Sequence, residues 1–159
     1  MDAPPPPPPP PQVSKLDECL FRLNSARVDN VCKAKLDNAA LRLRSSEYTH
    51  NAKVLSGIER FAAINSAVEV DLTGQINSEV ADGRYVGAVG GAPDFTRAAN
   101  QSPGGVSIVM IPSARIVDRL SGPVTVGRSD AGIVVTEKGA ADLRGCSLRE
   151  RERRMTLIR

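Results

Sequence analysis

The stretch VGAVGGAPDF, residues 86–95, sets three glycines in a short apolar run and follows them with Pro-Asp-Phe. Glycines so placed let a neighbour come close to the main chain, because no Cβ stands in the way. A dinucleotide fingerprint requires G-x-G-x-x-G after a first strand, and the spacing of Gly87, Gly90 and Gly91 does not meet it. A Walker A loop requires Gly-Lys-Ser/Thr, which is absent. A third reading fits better. A buried strand over 84–89 runs into Gly90-Gly91, and Pro93 sits at the first turn of a helix over 94–100. Free N–H groups between a strand end and a helix N-terminus suit an oxyanion. The alternative is a tight strand-to-helix turn with no ligand, and spacing alone leans that way.

Outward from this stretch the pattern is that of an α/β domain. Asn51 caps a helix in NAKVLSGIERFAAI, whose apolar residues Val54, Leu55, Ile58, Phe61 and Ala62 recur at helical spacing. Strands are expected over 67–72, with Thr73-Gly74 as the turn, over 76–80, and over 106–111. ARIVDRL gives a short strand or helix, and VTVGR and GIVVTE give two more strands, the second apolar enough to be buried. A last helix starts near Ser147, where Ser147 and Glu150 form a capping-box pattern.

Composition narrows the class. The 159 residues are 41% hydrophobic and 25% charged, near globular averages, with 3% aromatics and no tryptophan. The core must come from Val, Ile, Leu and Ala. The net charge of +3 resides in the segment 144–159, which holds six arginines and two glutamates. No aromatic residues interleave with those arginines, so nucleic-acid binding is not indicated. Their i, i+3 and i+4 spacing with glutamates describes an ion-paired helix face. Cys19, Cys32 and Cys146 form neither a metal signature nor a disulfide framework. No apolar run approaches a membrane span, and the N-terminus lacks a leader's basic and apolar regions, so a cytoplasmic location is expected.

Residues 4–11 are eight consecutive prolines, which adopt exposed polyproline II. They read as a solvated tail or as a ligand for an SH3-like or WW-like domain; the absence of a flanking Arg or Lys favours the tail. Residues 12–40 carry Leu16, Leu20, Leu23, Val28, Val31 and Leu36 at loosely helical spacing and no evident chemistry. The expected division is therefore a Pro-rich tail and unassigned segment over 1–40 and a folded domain over 41–159.

Five blocks in order carry a resemblance: INSAVEVDLTGQINSE, VGAVGGAPDF, SPGGVSIVMIPS, ARIVDRLSGPV and GIVVTEKGAADLRGCSLRERERRM. Together they resemble the C-terminal domain of the acetyl-CoA hydrolase/transferase family, the family I CoA-transferases. The resemblance implies a CoA-transferase-like (NagB/RpiA-like) open sheet flanked by helices, present here as a partial domain. It implies an acyl-CoA thioester and a carboxylate as substrates, with no permanently bound cofactor and no metal. A glutamate carboxylate attacks the acyl-CoA, and CoA is exchanged through a glutamyl-CoA thioester. The oxyanion donors then fall at Val89, Gly90 and Gly91, with Ala88 where the family's pattern has its first glycine. His50, in SEYTHN, corresponds to a polar position, often Asn, that faces the reactive glutamate. Glu137 ends a strand at its C-terminal edge, where open α/β sheets place ligands, followed by a departing Lys138. The family's nucleophilic glutamate has no counterpart here, since Glu18 is too close to SEYTHN and in a different context. The IPSARIV loop is shortened. The chain is accordingly expected to be inactive alone, and to act with a separate N-terminal CoA-transferase domain or as a homodimer. A non-enzymatic interaction module using the polyproline tail is the alternative.

Overall fold

Two short helices lead into the sheet. In the computed structural model, which describes residues 44–159, they are α1 (Ser46–Thr49) and α2 (Ala52–Ser56). The polyproline tract, the apolar spacing over 12–40, Glu18, Cys19, Cys32 and the domain start at Leu41 lie outside the described residues. Asn51 caps α2 as expected, its Oδ1 accepting from the N–H groups of Lys53 and Val54 at 3.0 and 3.4 Å. The helix is shorter than its apolar spacing suggests. Gly57 ends it, and Arg60 takes a left-handed φ of 52° that no helix continues through. Ser102 then holds the chain: its Oγ donates to Ile58 O at 2.5 Å and accepts from Phe61 N at 3.2 Å. Ala62, read above as helix, begins a strand instead.

That strand, β1 (Ala62–Ser66), opens a four-stranded sheet in the order β1-β6-β8-β9. β6 (Val106–Met110) and β8 (Ile133–Thr136) run parallel to it, and β9 (Gly139–Asp142) returns antiparallel to β8. A second sheet sets β2 (Glu69–Asp71) between antiparallel β3 (Ile76–Asn77) and parallel β7 (Ile116–Val117), which follows a 3₁₀ turn at Ser113–Arg115. β4 (Val80–Ala81) and β5 (Arg84–Tyr85) form a separate hairpin. Helix α3 (Ala92–Gln101) connects the hairpin to β6, and α4 (Leu148–Leu157) packs against β9.

The core is aliphatic, as the composition requires. Val109, Val134 and Ala141 stand side by side in register on one face of the four-stranded sheet. Val70, Ile76 and Ile116 of the second sheet, Met155 of the last helix and Ile158 just after it close over that face. The other face carries Ile64 in register with Ile108, and Ile64 and Met110 are more than half exposed.

Three expectations about strands need correction. VTVGR forms no strand and touches a sheet through a single bridge between Val126 and Ile76. Residues 76–80 split into β3 and β4 around Asn77, whose Oδ1 accepts from Glu79 N and Val80 N, an Asx turn. The buried strand over 84–89 reduces to the two residues of β5. Val86 N and Gly87 N both donate to Glu79 O, at 2.7 and 3.2 Å, which turns the chain away from pairing, and Tyr85 and Val86 are exposed. Among the described residues no helix is long and apolar enough to cross a membrane.

Candidate active site

The glycine loop lies between the β4–β5 hairpin and α3. Pro93 occupies the first turn of that helix, where its missing N–H costs no hydrogen bond, and Asp94 adds a first-turn carboxylate. Because α3 leads back to the start of parallel strand β6, its N-terminus lies at the C-terminal edge of the sheet. This is the edge where α/β folds place ligands. Gly90 takes a φ of 55°, a conformation in which a Cβ is strained. Among the described residues, the N–H groups of Val89, Gly90 and Gly91 have no hydrogen-bond acceptor. Val89 and Gly90 are exposed and Gly91 half-buried. Three N–H groups without an acceptor thus precede the positive end of a ten-residue helix.

His50 is brought to this loop from 41 residues away in sequence. A Cβ at Gly91 would stand 2.5 Å from His50 Nε2 and 2.7 Å from its Cδ2, so the ring rests on the glycine itself. Phe95, one helical turn on, meets the same ring edge-on at 5.1 Å and touches Phe61 at 6.2 Å. His50 Nδ1 lies 3.1 Å from Thr49 Oγ1, which is also 3.3 Å from Ser45 O. A hydroxyl has one proton to give. With that proton on Ser45 O, Nδ1 is the donor to Thr49 Oγ1, and Nε2 faces Gly91. The sequence reading missed Phe95 and Thr49. Phe95 had a signal, since it sits four residues beyond Gly91 and faces the same way on a helix.

Glu137 does follow β8 at the C-terminal edge, beside a shallow apolar cleft formed by Met110, Ile111, Pro112, Val135 and Thr136. Its carboxylate is engaged elsewhere, however. Oε2 accepts from Ser113 N at 2.9 Å, tying β8 to the 3₁₀ turn. The Ser113 hydroxyl and N–H hold its pKa down at about 2. Among the described residues it contacts neither His50 nor the glycine loop. The structure therefore sets His50 on Gly91 and leaves Glu137 apart.

Other carboxylates organise loops. Glu69 is buried in the second sheet. Burial alone would raise its pKa, but the N–H and hydroxyl of Ser121, both at 2.8 Å, and the Asn77 amide outweigh it and keep the carboxylate charged. Asp71 likewise folds its own turn, accepting from Thr73 and Gln75 at 2.7 to 2.9 Å. In α4, Ser147 caps the helix through Glu150 N, while the Glu150 carboxylate turns to Arg153 and Arg154. Only half of the capping box is therefore made.

Comparison with known proteins fits this geometry. Residues 29–158 match the profile of the "Acetyl-CoA hydrolase/transferase C-terminal domain". The chain belongs to that family. Its sequence is 38% identical over 131 residues to the 4-hydroxybutyrate coenzyme A transferase of Clostridium kluyveri, a match covering 77% of this chain and 30% of the relative. It is 34% identical over 129 residues to an acetyl-CoA hydrolase of Yarrowia lipolytica, covering 72% of this chain and 23% of that protein. Among solved structures, RipA from Yersinia pestis superposes with a TM-score of 0.74 at 36% identity, over 80% of this chain and 30% of RipA. The family's mixed α/β architecture with open sheets is thus present. The chain spans about 30% of the length of the curated relatives it matches first.

Proposed function

We propose that this chain forms the oxyanion-binding wall of an acyl-CoA-processing site, in a CoA-transferase or acyl-CoA hydrolase of the glutamyl-CoA type. The observation that supports the reading is that the N–H groups of Val89, Gly90 and Gly91, just before α3, have no acceptor among the described residues, with His50 Nε2 resting on Gly91. In such a reaction a carboxylate attacks the thioester carbonyl, whose π electrons move onto oxygen. The three N–H donors meet that negative charge as it develops, in a place where α3 already favours it. The thiolate of CoA leaves and the acyl-carboxylate anhydride remains. The thiolate then attacks the enzyme's own carbonyl, releasing the acid and giving glutamyl-CoA. An acceptor carboxylate resolves this thioester in a transferase, and water does so in a hydrolase.

His50, packed on Gly91, fixes the position of the loop, a positioning role. The attacking carboxylate is assigned to none of the described residues, because Glu137 is committed to Ser113. A further CoA-transferase domain covers the loop, for which exposed Tyr85, Val86 and Val89 give an apolar footing. The test is acetyl-CoA turnover by this chain, with and without acetate, alongside backbone amide spectra on adding acetyl-CoA. Shifts at Val89–Gly91 without turnover in a folded sample are expected. Turnover by the chain alone, abolished in E137A or E18A, would overturn the assignment of the nucleophile. Amide shifts that bypass the loop would overturn the oxyanion role.

A further inference from the structure

At the opposite, N-terminal edge of the parallel strands lies a second cleft, of about 260 Å³, lined by Asn100, Ser129, Arg144, Gly145 and Arg151. Arg151 is its unusual member. It is 9% exposed, and its guanidinium makes hydrogen bonds to main-chain carbonyls alone. Nε donates to Cys146 O at 3.4 Å, and Nη1 donates to Thr73 O and Arg128 O at 3.2 and 2.7 Å. These contacts pin three loops together, but they are neutral. Among the described residues no carboxylate pairs with Arg151, and its Nη2 has no partner. No buried side-chain nitrogen lacks a partner among the described residues, so the free Nη2 is open to solvent, and the guanidinium's planar fork matches an oxyanion.

The rest of the cleft is also donor-rich. Arg144 gives Nε and Nη2 to Asp142, which leaves Nη1 uncommitted. The Ser129 hydroxyl and the Gly145 N–H have no acceptor among the described residues. Asn100 is already used, donating to Asp130 O and accepting from Ser107. The nearby carboxylates are neutralised, Asp142 by Arg144 and Asp130 by Arg97. The local balance is therefore positive, by the charge of Arg151. Donors with no competing acceptor exclude a cation and select an anion. The volume exceeds that of several water molecules at about 30 Å³ each, so a tetrahedral oxyanion with a small attached group fits.

We propose that this cleft binds a phosphate group on Arg151, with Arg144, Ser129 and Gly145 around it, at a site separate from the glycine loop. The group comes either from free phosphate or from a phosphate monoester on a larger ligand. The probe is inorganic phosphate, followed by the Arg151 side-chain Nε–H signal in nitrogen-edited spectra, with sodium chloride at matched ionic strength as control. Coenzyme A and dephospho-coenzyme A, which differ by one monoester, distinguish the two sources. A saturable phosphate response is expected, and R144Q and S129A should each weaken it by about fivefold. R151Q frees three loops and is expected to unfold, so the other two variants carry the test. A response reproduced by chloride, no saturable response, or affinity unchanged in both R144Q and S129A would overturn the site. Saturation by coenzyme A with none by dephospho-coenzyme A would support it and name the monoester as the source.

Discussion

Replacing Gly91 by alanine probes the contact on which the functional reading stands. The backbone there is ordinary, with φ −92° and ψ 0°, so alanine adds no main-chain strain. The effect comes from the new methyl group. It would lie 2.5 Å from His50 Nε2 and 3.0 Å from Phe95 Cε2, so the imidazole must retreat by about 1 Å to reach normal contact. Overpacking of this kind costs about 1–3 kcal/mol, and the lower end applies because a half-buried ring can swing toward solvent. About 1 kcal/mol corresponds to a fall in Tm of roughly 2–8 °C for domains of this size range. Gly105→Ala is the contrast: its methyl group would run into Ala99 O, a main-chain atom that cannot swing aside. G105A should therefore cost near the upper end of the same range. The assay is urea denaturation of both variants, with the His50 ring signals of G91A recorded by NMR. Displaced His50 signals with a small loss of stability are expected. If G91A costs as much as G105A, or leaves the His50 signals where they were, the ring does not rest on this glycine.

Three further outcomes follow from the hydrogen bonds. Glu137, held at about 2 against an ordinary 4.5, contributes stability above pH 4.5 that is lost as pH falls toward 2. E137Q should flatten that acid limb in denaturation midpoints measured between pH 5 and 2; an unchanged limb would show that Ser113 does not stabilise the ionised form. E69A leaves the Ser121 N–H and the Asn77 amide short of an acceptor and should cost about 1–3 kcal/mol by urea titration, much more than removal of an exposed glutamate such as Glu59. S147A removes the cap of α4 and should cost about 1 kcal/mol, with S147D restoring most of it.

The elements legible in the sequence are those fixed by neighbours along the chain. Asn51 and Ser147 mark helix starts, Pro93 marks a first turn, and VSIVM and IVVT are strands by composition. Elements fixed by distant partners were not legible. Helical spacing ran past Gly57 into AAINS, because the ties that hold 58–61 come from Ser102, over forty residues away. β9 was missed because Gly-Ala-Ala-Asp is a poor strand sequence, and it pairs because the turn after β8 folds it back in register. At the site, the glycines announced a close approach but not what approached. That the neighbour on Gly91 is His50 depends on where α1 and α3 are packed, which no local pattern encodes. Arg151 looked like one more arginine on a charged face, and its burial reflects loops whose positions the sequence does not display.

The loop from Val86 to Gly91 is suspended between two independent anchors, the Glu79 carbonyl at one end and the seated helix α3 at the other. Neither anchor uses the side chains at 86, 88 or 89, and all three point into open surroundings. The side chains at 86, 88 and 89 can thus vary while Gly87, Gly90 and Gly91 keep their place. A scaffold of this kind separates variation from folding: the side chains at 86, 88 and 89 can drift, or be randomised in a library, with little penalty to the rest of the domain. Selection on those positions would register only weakly in how much of the protein survives in the cell.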